Sequence, residues 1–255
     1  MSWQDRFSLA GRKALVAGAS KGIGAEICAV FAEAGADIVA LGRDEADLAA
    51  TAEAVRAHGR RCLTLVAEME SPTAPVVVCE QALAAWGTID ILVHSAGMAN
   101  VGPAVTFSTD DWDQMMAVNL RAPFLTARTL APAMIAQEWG KIVMISSQTG
   151  VIALDDHAAY AASKGGLNAL TKSLCAEWAR FNVQVNAICP TVVMTPMGKK
   201  VWGRPEKGDP FRNAMPARRF AEPVEVADAA LYLASDASAM VNGALLMVEG
   251  GFTSV

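Results

Sequence analysis

The chain has 255 residues, of which 53% are apolar and 18% charged, and its formal net charge is −5. That size and composition suit a large buried core in a single α/β domain. Without clustered Lys and Arg there is no electrostatic basis for binding nucleic acid. Residues 1–11 lack the apolar stretch of a signal peptide, and no apolar run is long enough to cross a bilayer, so a cytoplasmic chain without membrane attachment is expected. Cys28, Cys62, Cys79, Cys175 and Cys189 are scattered without a Cys-x-x-Cys pair and read as small buried hydrophobes in a reducing compartment. His58, His94 and His157 lie far apart without ligand spacing, so no metal is expected.

In chain order, short β-branched runs alternate with Ala-rich helical stretches. Strands are predicted at 13–17, 37–41, 61–66, 89–94, 141–146, 183–188 and 245–248. Helices are predicted near 22–34, 44–58, 72–86, 110–138, 158–181 and 223–235. The strand runs are continuously apolar, as in a parallel sheet covered on both faces. The alternation predicts one α/β domain over 1–255, a Rossmann-type, doubly wound, seven-stranded parallel sheet with helices on both faces. Ligands of such sheets bind at the carboxyl ends of the strands, near the switch in strand order. Residues 195–216 hold Gly198, Pro205, Gly203, Gly208 and Pro210 without clear periodicity, and an irregular substrate-covering segment is expected over about 191–216.

The first strand runs into Gly18-Ala19-Ser20-Lys21-Gly22-Ile23-Gly24 and then a helix. Glycines in that context allow a tight turn and let backbone amides reach a pyrophosphate, which the helix N-terminus attracts. The second strand ends in Leu41-Gly42-Arg43-Asp44. A bare ribose 2′-OH commonly meets a carboxylate at this point, whereas a 2′-phosphate meets an Arg. Gly42 removes the acid from the expected position, Arg43 follows it, and Lys21 adds a second positive charge. These residues favour NADP(H). Asp44, one register away, leaves NAD(H) open, and Arg43 also reads as a solvated residue opening the next helix.

Tyr160 and Lys164 are four residues apart in a helical stretch and share one face. A free phenol titrates near pH ~10, too high for efficient proton exchange at neutrality. A neighbouring ammonium favours the phenolate, and on this ground a lowered pKa is expected for Tyr160. Ser147, thirteen residues earlier at a strand end, supplies a hydroxyl for the substrate oxygen. Asn119 sits in a predicted helix interior, where Asn is locally unfavourable and needs a reason.

Taken together, these residues make the chain resemble the short-chain dehydrogenase/reductase family. The matching pieces are Gly18-x-x-x-Gly22-x-Gly24, Ala96-Gly97, Val118-Asn119-Leu120, Ser147, Tyr160-x-x-x-Lys164 and Asn186 to Pro190, in the family's order. The resemblance implies a tetrad. In it Tyr160 exchanges the proton, and Lys164 binds the nicotinamide ribose and tunes Tyr160. Ser147 orients the carbonyl, and Asn119 holds a water that relays protons to Lys164. It also implies a homotetramer built on the two long helices and the last strand. Departures are Ala17 for the usual Thr, and His94-Ser95 for the usual Asn-Asn before Ala96-Gly97.

Pro190-Thr191, in place of the usual Pro-Gly, is similar to the L-xylulose (dicarbonyl) reductase subgroup, as are Ser147-Gln148, His157-x-x-Tyr160 and Trp202. By that resemblance Pro190, Val193 and Thr195 lie along the cofactor, with Val193 and Thr195 on the carboxamide. Gln148, His157 and Trp202 would line the pocket of a small ketose, polyol, sugar acid or dicarbonyl. His157 as a helix-start surface residue and Trp202 as mere packing are the plainer alternatives. Gly42-Arg43-Asp44 and Asp209-Pro210-Phe211 also resemble the gluconate 5-dehydrogenases. The competing readings are a 3-oxoacyl-carrier-protein reductase and a catalytically inactive cofactor-binding scaffold.

Overall fold

The structure, a computed structural model, describes residues 2–255. The apolar runs pair side by side into one all-parallel sheet. Its strands are β1 (Lys13–Ala17), β2 (Asp37–Gly42), β3 (Cys62–Val66), β4 (Ile91–His94), β5 (Gly140–Ile145), β6 (Val183–Pro190) and β7 (Leu245–Val248). Their order is β3-β2-β1-β4-β5-β6-β7. The order reverses between β1 and β4, so a crevice forms at their carboxyl ends.

The intervening helices are α1 (Trp3–Phe7), α2 (Gly22–Glu33), α3 (Glu45–Ala57), α4 (Ala74–Trp86), α5 (Thr109–Met116), α6 (Ala122–Ala136), α7 (Ala158–Trp178), α8 (Pro196–Trp202), α9 (Pro205–Ala214) and α10 (Pro223–Ala234). Alternate residues of each strand feed opposite faces. Ala14 and Val16 join the cluster that α2, α3 and α10 cover, while Leu15 and Ala17 join the one under α4, α6 and α7. Phe31 and Ile27 of α2 are fully buried. Truncating a core Phe costs ~3–5 kcal/mol, so this face positions the glycine turn firmly.

Three elements depart from the sequence expectation. First, α1 forms where none was predicted, because Ser2 and Asp5 close a reciprocal capping box at its start.

Second, the helix expected over 110–138 is interrupted by a π-helical turn at Ala117–Arg121. Such turns insert an extra residue and occur often at functional sites. Pro123 also lacks the N–H that would have bonded the Asn119 carbonyl four residues earlier.

Third, the segment expected to be irregular carries α8 and α9. Pro196 and Pro205 stand in the first turns of α8 and α9, whereas Pro210 lies inside α9, and Thr195 caps α8 by accepting from the Gly198 amide at 3.1 Å. In a first turn a missing N–H costs nothing. The cysteines also divide: Cys28, Cys79 and Cys189 are buried, but Cys62 and Cys175 are only half-buried.

Candidate active site

The glycine turn sits at the carboxyl end of β1. Gly18 takes a left-handed φ of +86° and passes so close to the Ala96 backbone that no side chain fits. Gly22 lies against the methyl of Thr195, so the segment after Pro190 reaches back to the turn. Gly22-Ile23-Gly24 opens α2, whose first turn has neither a side-chain cap nor an acidic residue. Its amides are therefore oriented for an anion, which suits the pyrophosphate of a dinucleotide. Val193 is buried and bridges Ala221, with Pro190 closing β6. The loss of the usual Thr at Ala17 leaves the strand junction intact, since Ser95 N–H donates to the Ala17 carbonyl at 2.8 Å.

Near the carboxyl end of β2 lie a buried hydroxyl and two surface cations. Ser20 Oγ is buried with no partner and occupies the space a side chain on Gly42 would need. Asp44 is used elsewhere: its carboxylate caps α3, accepting from the Asp47 amide at 2.9 Å. Lys21 and Arg43 stand on the surface, paired with Asp47 at 3.0 Å and Glu68 at 3.7 Å. Exposed pairs of this kind are worth ~0–1 kcal/mol, so both cations can be recruited by a ligand.

Asn119, Ser147, Tyr160 and Lys164 come together. The π turn directs Asn119 inward, where its amide accepts from Met98 N–H at 2.9 Å and donates to Met98 O at 2.8 Å and Ser163 Oγ at 3.1 Å. Asn119 thus joins the exit of β4 to α7. Lys164 Nζ donates to the Ile145 carbonyl at 2.9 Å and lies 5.8 Å from the Tyr160 ring centroid. Gly97 keeps the space between Asn119 and Lys164 clear, since its missing Cβ would stand 3.4 Å from Asn119 Oδ1 and 3.5 Å from Lys164 Nζ. Ser147, two residues beyond the end of β5, is extended, its Oγ accepting from Thr149 N–H at 3.1 Å.

The electrostatics correct one expectation. Burial pushes the Tyr160 phenol above its ordinary value, and the facing Ser147 hydroxyl draws it only partly back. Lys164 does not lower it here, because burial depresses the ammonium itself to about 8. Desolvation outweighs attraction. His94 is a second buried base near this lysine. Its Nδ1 lies 3.1 Å from Thr126 Oγ1, and that hydroxyl's own proton goes to the Ala122 or Pro123 carbonyl. This assigns the ring proton to Nδ1 and leaves Nε2 a bare acceptor. Burial, with the Lys164 charge adding, lowers the imidazole to about 3.

Around the tetrad, Gln148 is buried with its Oε1 unpartnered, and the His157 ring meets Tyr160 edge-on at 6.3 Å. Trp202 is held differently. Its indole packs on Phe211 at 5.0 Å and Phe220 at 6.3 Å, and Phe211 stacks on Phe252 at 4.9 Å. Sequence reasoning missed Asn168, which accepts from Ser146 Oγ at 2.7 Å and donates to the Gly150 carbonyl at 3.2 Å. Its signal was available: Tyr160, Lys164 and Asn168 repeat every four residues along α7.

A nucleotide-binding turn at the switch point, with a Tyr–Lys pair and a Ser just beyond the neighbouring strand, defines a class of nicotinamide-dependent oxidoreductases. Comparison with known proteins agrees. A family model described as "Enoyl-(Acyl carrier protein) reductase" matches residues 18–253. The chain is 44% identical to D-threitol dehydrogenase of Mycolicibacterium smegmatis over 97% of its own length and 95% of that protein. It is 39% identical to L-xylulose reductase of Bos taurus, over 96% and 97% respectively. The solved structure of a gluconate 5-dehydrogenase from Burkholderia cenocepacia J2315, in complex with NADP and tartrate, superposes with a TM-score of 0.94 at 37% identity, covering 100% of both chains. The chain belongs to the short-chain dehydrogenase/reductase family, whose members use NAD(P).

Proposed function

We propose that this chain is an NADP(H)-dependent enzyme that interconverts a secondary alcohol and a ketone on a small polyhydroxylated substrate, a polyol, ketose or sugar acid. The observation that carries this reading is the convergence of Tyr160, Lys164 and Ser147 beside the opening that Gly97 leaves clear. The cofactor supplies and accepts the hydride. Ser147 Oγ and Tyr160 hold the substrate oxygen, and the Tyr160 hydroxyl gives or takes its proton. Lys164 binds the nicotinamide ribose, and Asn119 holds a water on the proton path to Lys164. Ser20, Lys21 and Arg43 receive the 2′-phosphate, while Gly18, Gly22, Ile23 and Gly24 receive the pyrophosphate. Ala96, Gly97, Pro190, Val193 and Thr195 complete the cofactor wall.

Buried, unpartnered Gln148 and the neighbouring His157 suit a substrate bearing hydroxyls, because polar groups in such a wall reject ligands that cannot bond them. Trp202 covers the site from α8 by holding that helix in its aromatic cluster. The relatives named for D-threitol, L-xylulose and gluconate support a polyhydroxylated substrate. The test is a panel of tetritols, pentitols, hexitols, gluconate, ketoses and dicarbonyls with NADP(H) and NAD(H). Turnover of polyol or sugar-acid members with NADP(H) is expected. A preference for acyl thioesters would overturn the reading. A homotetramer is part of the proposal and is checked by sedimentation velocity.

A further inference from the structure

A cavity of about 410 Å³ opens between α8, α9 and the turn that leads into α10. Met194, Trp202, Arg212, Arg218, Phe220 and Glu222 form its wall, and none of Asn119, Ser147, Tyr160 or Lys164 does. Thr195 faces the glycine turn and Val193 the core, whereas Met194 between them lines this cavity.

The charges at this place are not all matched. Arg219 at the rim is held by Glu225 at 2.7 Å and 2.5 Å, and a terminal nitrogen of Arg212 by Asp209. Arg212 Nε is nevertheless buried and has no acceptor. Arg218 has no carboxylate partner among the described residues; its guanidinium bonds only the Asn213 carbonyl. Its backbone takes a left-handed φ of +56°. A non-glycine residue in that conformation is strained, and such strain gathers where a side chain must be placed.

We propose that this cavity binds a small sugar acid, separately from the catalytic cleft. The exposed Arg218 guanidinium, with no carboxylate of its own, fits a single carboxylate, for which the Arg fork is shaped, while the Arg212 guanidinium lies over the Phe220 ring at 5.4 Å. Trp202 and Phe220 offer apolar faces for the C–H side of a sugar chain. Glu222 accepts hydroxyl protons and repels a dianion such as phosphate. Occupancy ties α8 and α9 to the 218–222 turn, and a ligand that prefers the tied arrangement stabilises the covering segment.

The proposal is tested by calorimetric titration of the cofactor-free full chain with D-gluconate, D-sorbitol and inorganic phosphate. Arg218→Gly is the informative variant, because glycine accepts the left-handed backbone and the chain still folds. Gluconate should bind the unmodified chain at least tenfold more tightly than sorbitol or phosphate. Arg218→Gly should weaken gluconate at least tenfold, while NADPH binding and kcat/KM for the alcohol stay within about twofold; Arg218→Lys should restore part of the affinity. Unchanged gluconate affinity in Arg218→Gly, or phosphate binding as tightly as gluconate, overturns the proposal. So does a parallel loss of turnover, which would make the cavity part of the catalytic cleft. The binding readout needs no turnover, so its failure is distinct from failure of the proposed activity.

Discussion

The Ser20 hydroxyl stands where a side chain at Gly42 would have to go, and it is buried without a hydrogen-bond partner. The glycine turn after β1 and the end of β2 therefore meet at these two residues. A carboxylate placed at position 42 to receive a bare ribose has to turn the Ser20 hydroxyl out of that space. Gly42→Asp should lose NADPH affinity at least tenfold and gain none for NADH. Pairing it with Ser20→Gly should open the space and allow NADH to bind. Fluorescence titration of both cofactors decides this, and strong NADH binding by the single variant would contradict the steric coupling.

Arg43 is tied to Glu68 only by an exposed pair at 3.7 Å, so a 2′-phosphate can recruit it. Arg43→Ala should weaken NADPH about tenfold, or ~1.4 kcal/mol, and NADH less than twofold. Equal losses for the two cofactors would remove Arg43 from phosphate recognition.

Tyr160→Phe removes the exchangeable proton while keeping the ring that meets His157. Turnover should fall by about 10²–10⁴, the usual contribution of a general acid or base. The cofactor dissociation constant should stay within about threefold. Retention of most of the activity would assign proton transfer to another group.

His94 couples stability to pH. Its folded pKa of about 3 lies below the ~6.5 of an unfolded histidine. Below pH ~6.5 the unfolded chain binds a proton that the folded chain refuses, so stability present above that pH is lost as pH falls toward about 3. The slope from this group is up to ~1.4 kcal/mol per pH unit. Urea midpoints measured between pH ~4.5 and ~7.5 should therefore fall less steeply for His94→Asn. Parallel slopes would mean that His94 gains access to water or a proton in the folded state.

Much of this was legible along the chain. Seven apolar runs became seven parallel strands; the central β2, β1, β4, β5 and β6 are buried between two helical layers, whereas the edge strands β3 and β7 are only partly covered. Tyr160 and Lys164 were legible for a similar reason: one helix relates them, and helical spacing is a local property. The π turn under Asn119 went unread, although Pro123 falls inside the helix expected over 110–138 and so marked a break there. Residues 195–216 show no clear periodicity and were expected to be irregular, yet Pro196 and Pro205 open α8 and α9.

Local chemistry in the sequence thus determined the sheet, the glycine turn and the Tyr–Lys spacing, each set by residues within a turn or strand of one another. Packing alone decided the rest. Ser20 meets Gly42 because β1 and β2 lie side by side, and burial rather than the Lys164 charge governs the Tyr160 phenol. Trp202 turns toward Phe211 and Phe220, and Arg212 and Arg218 share a cavity with it. Desolvation and steric exclusion depend on groups distant in sequence, so only the folded chain expresses them.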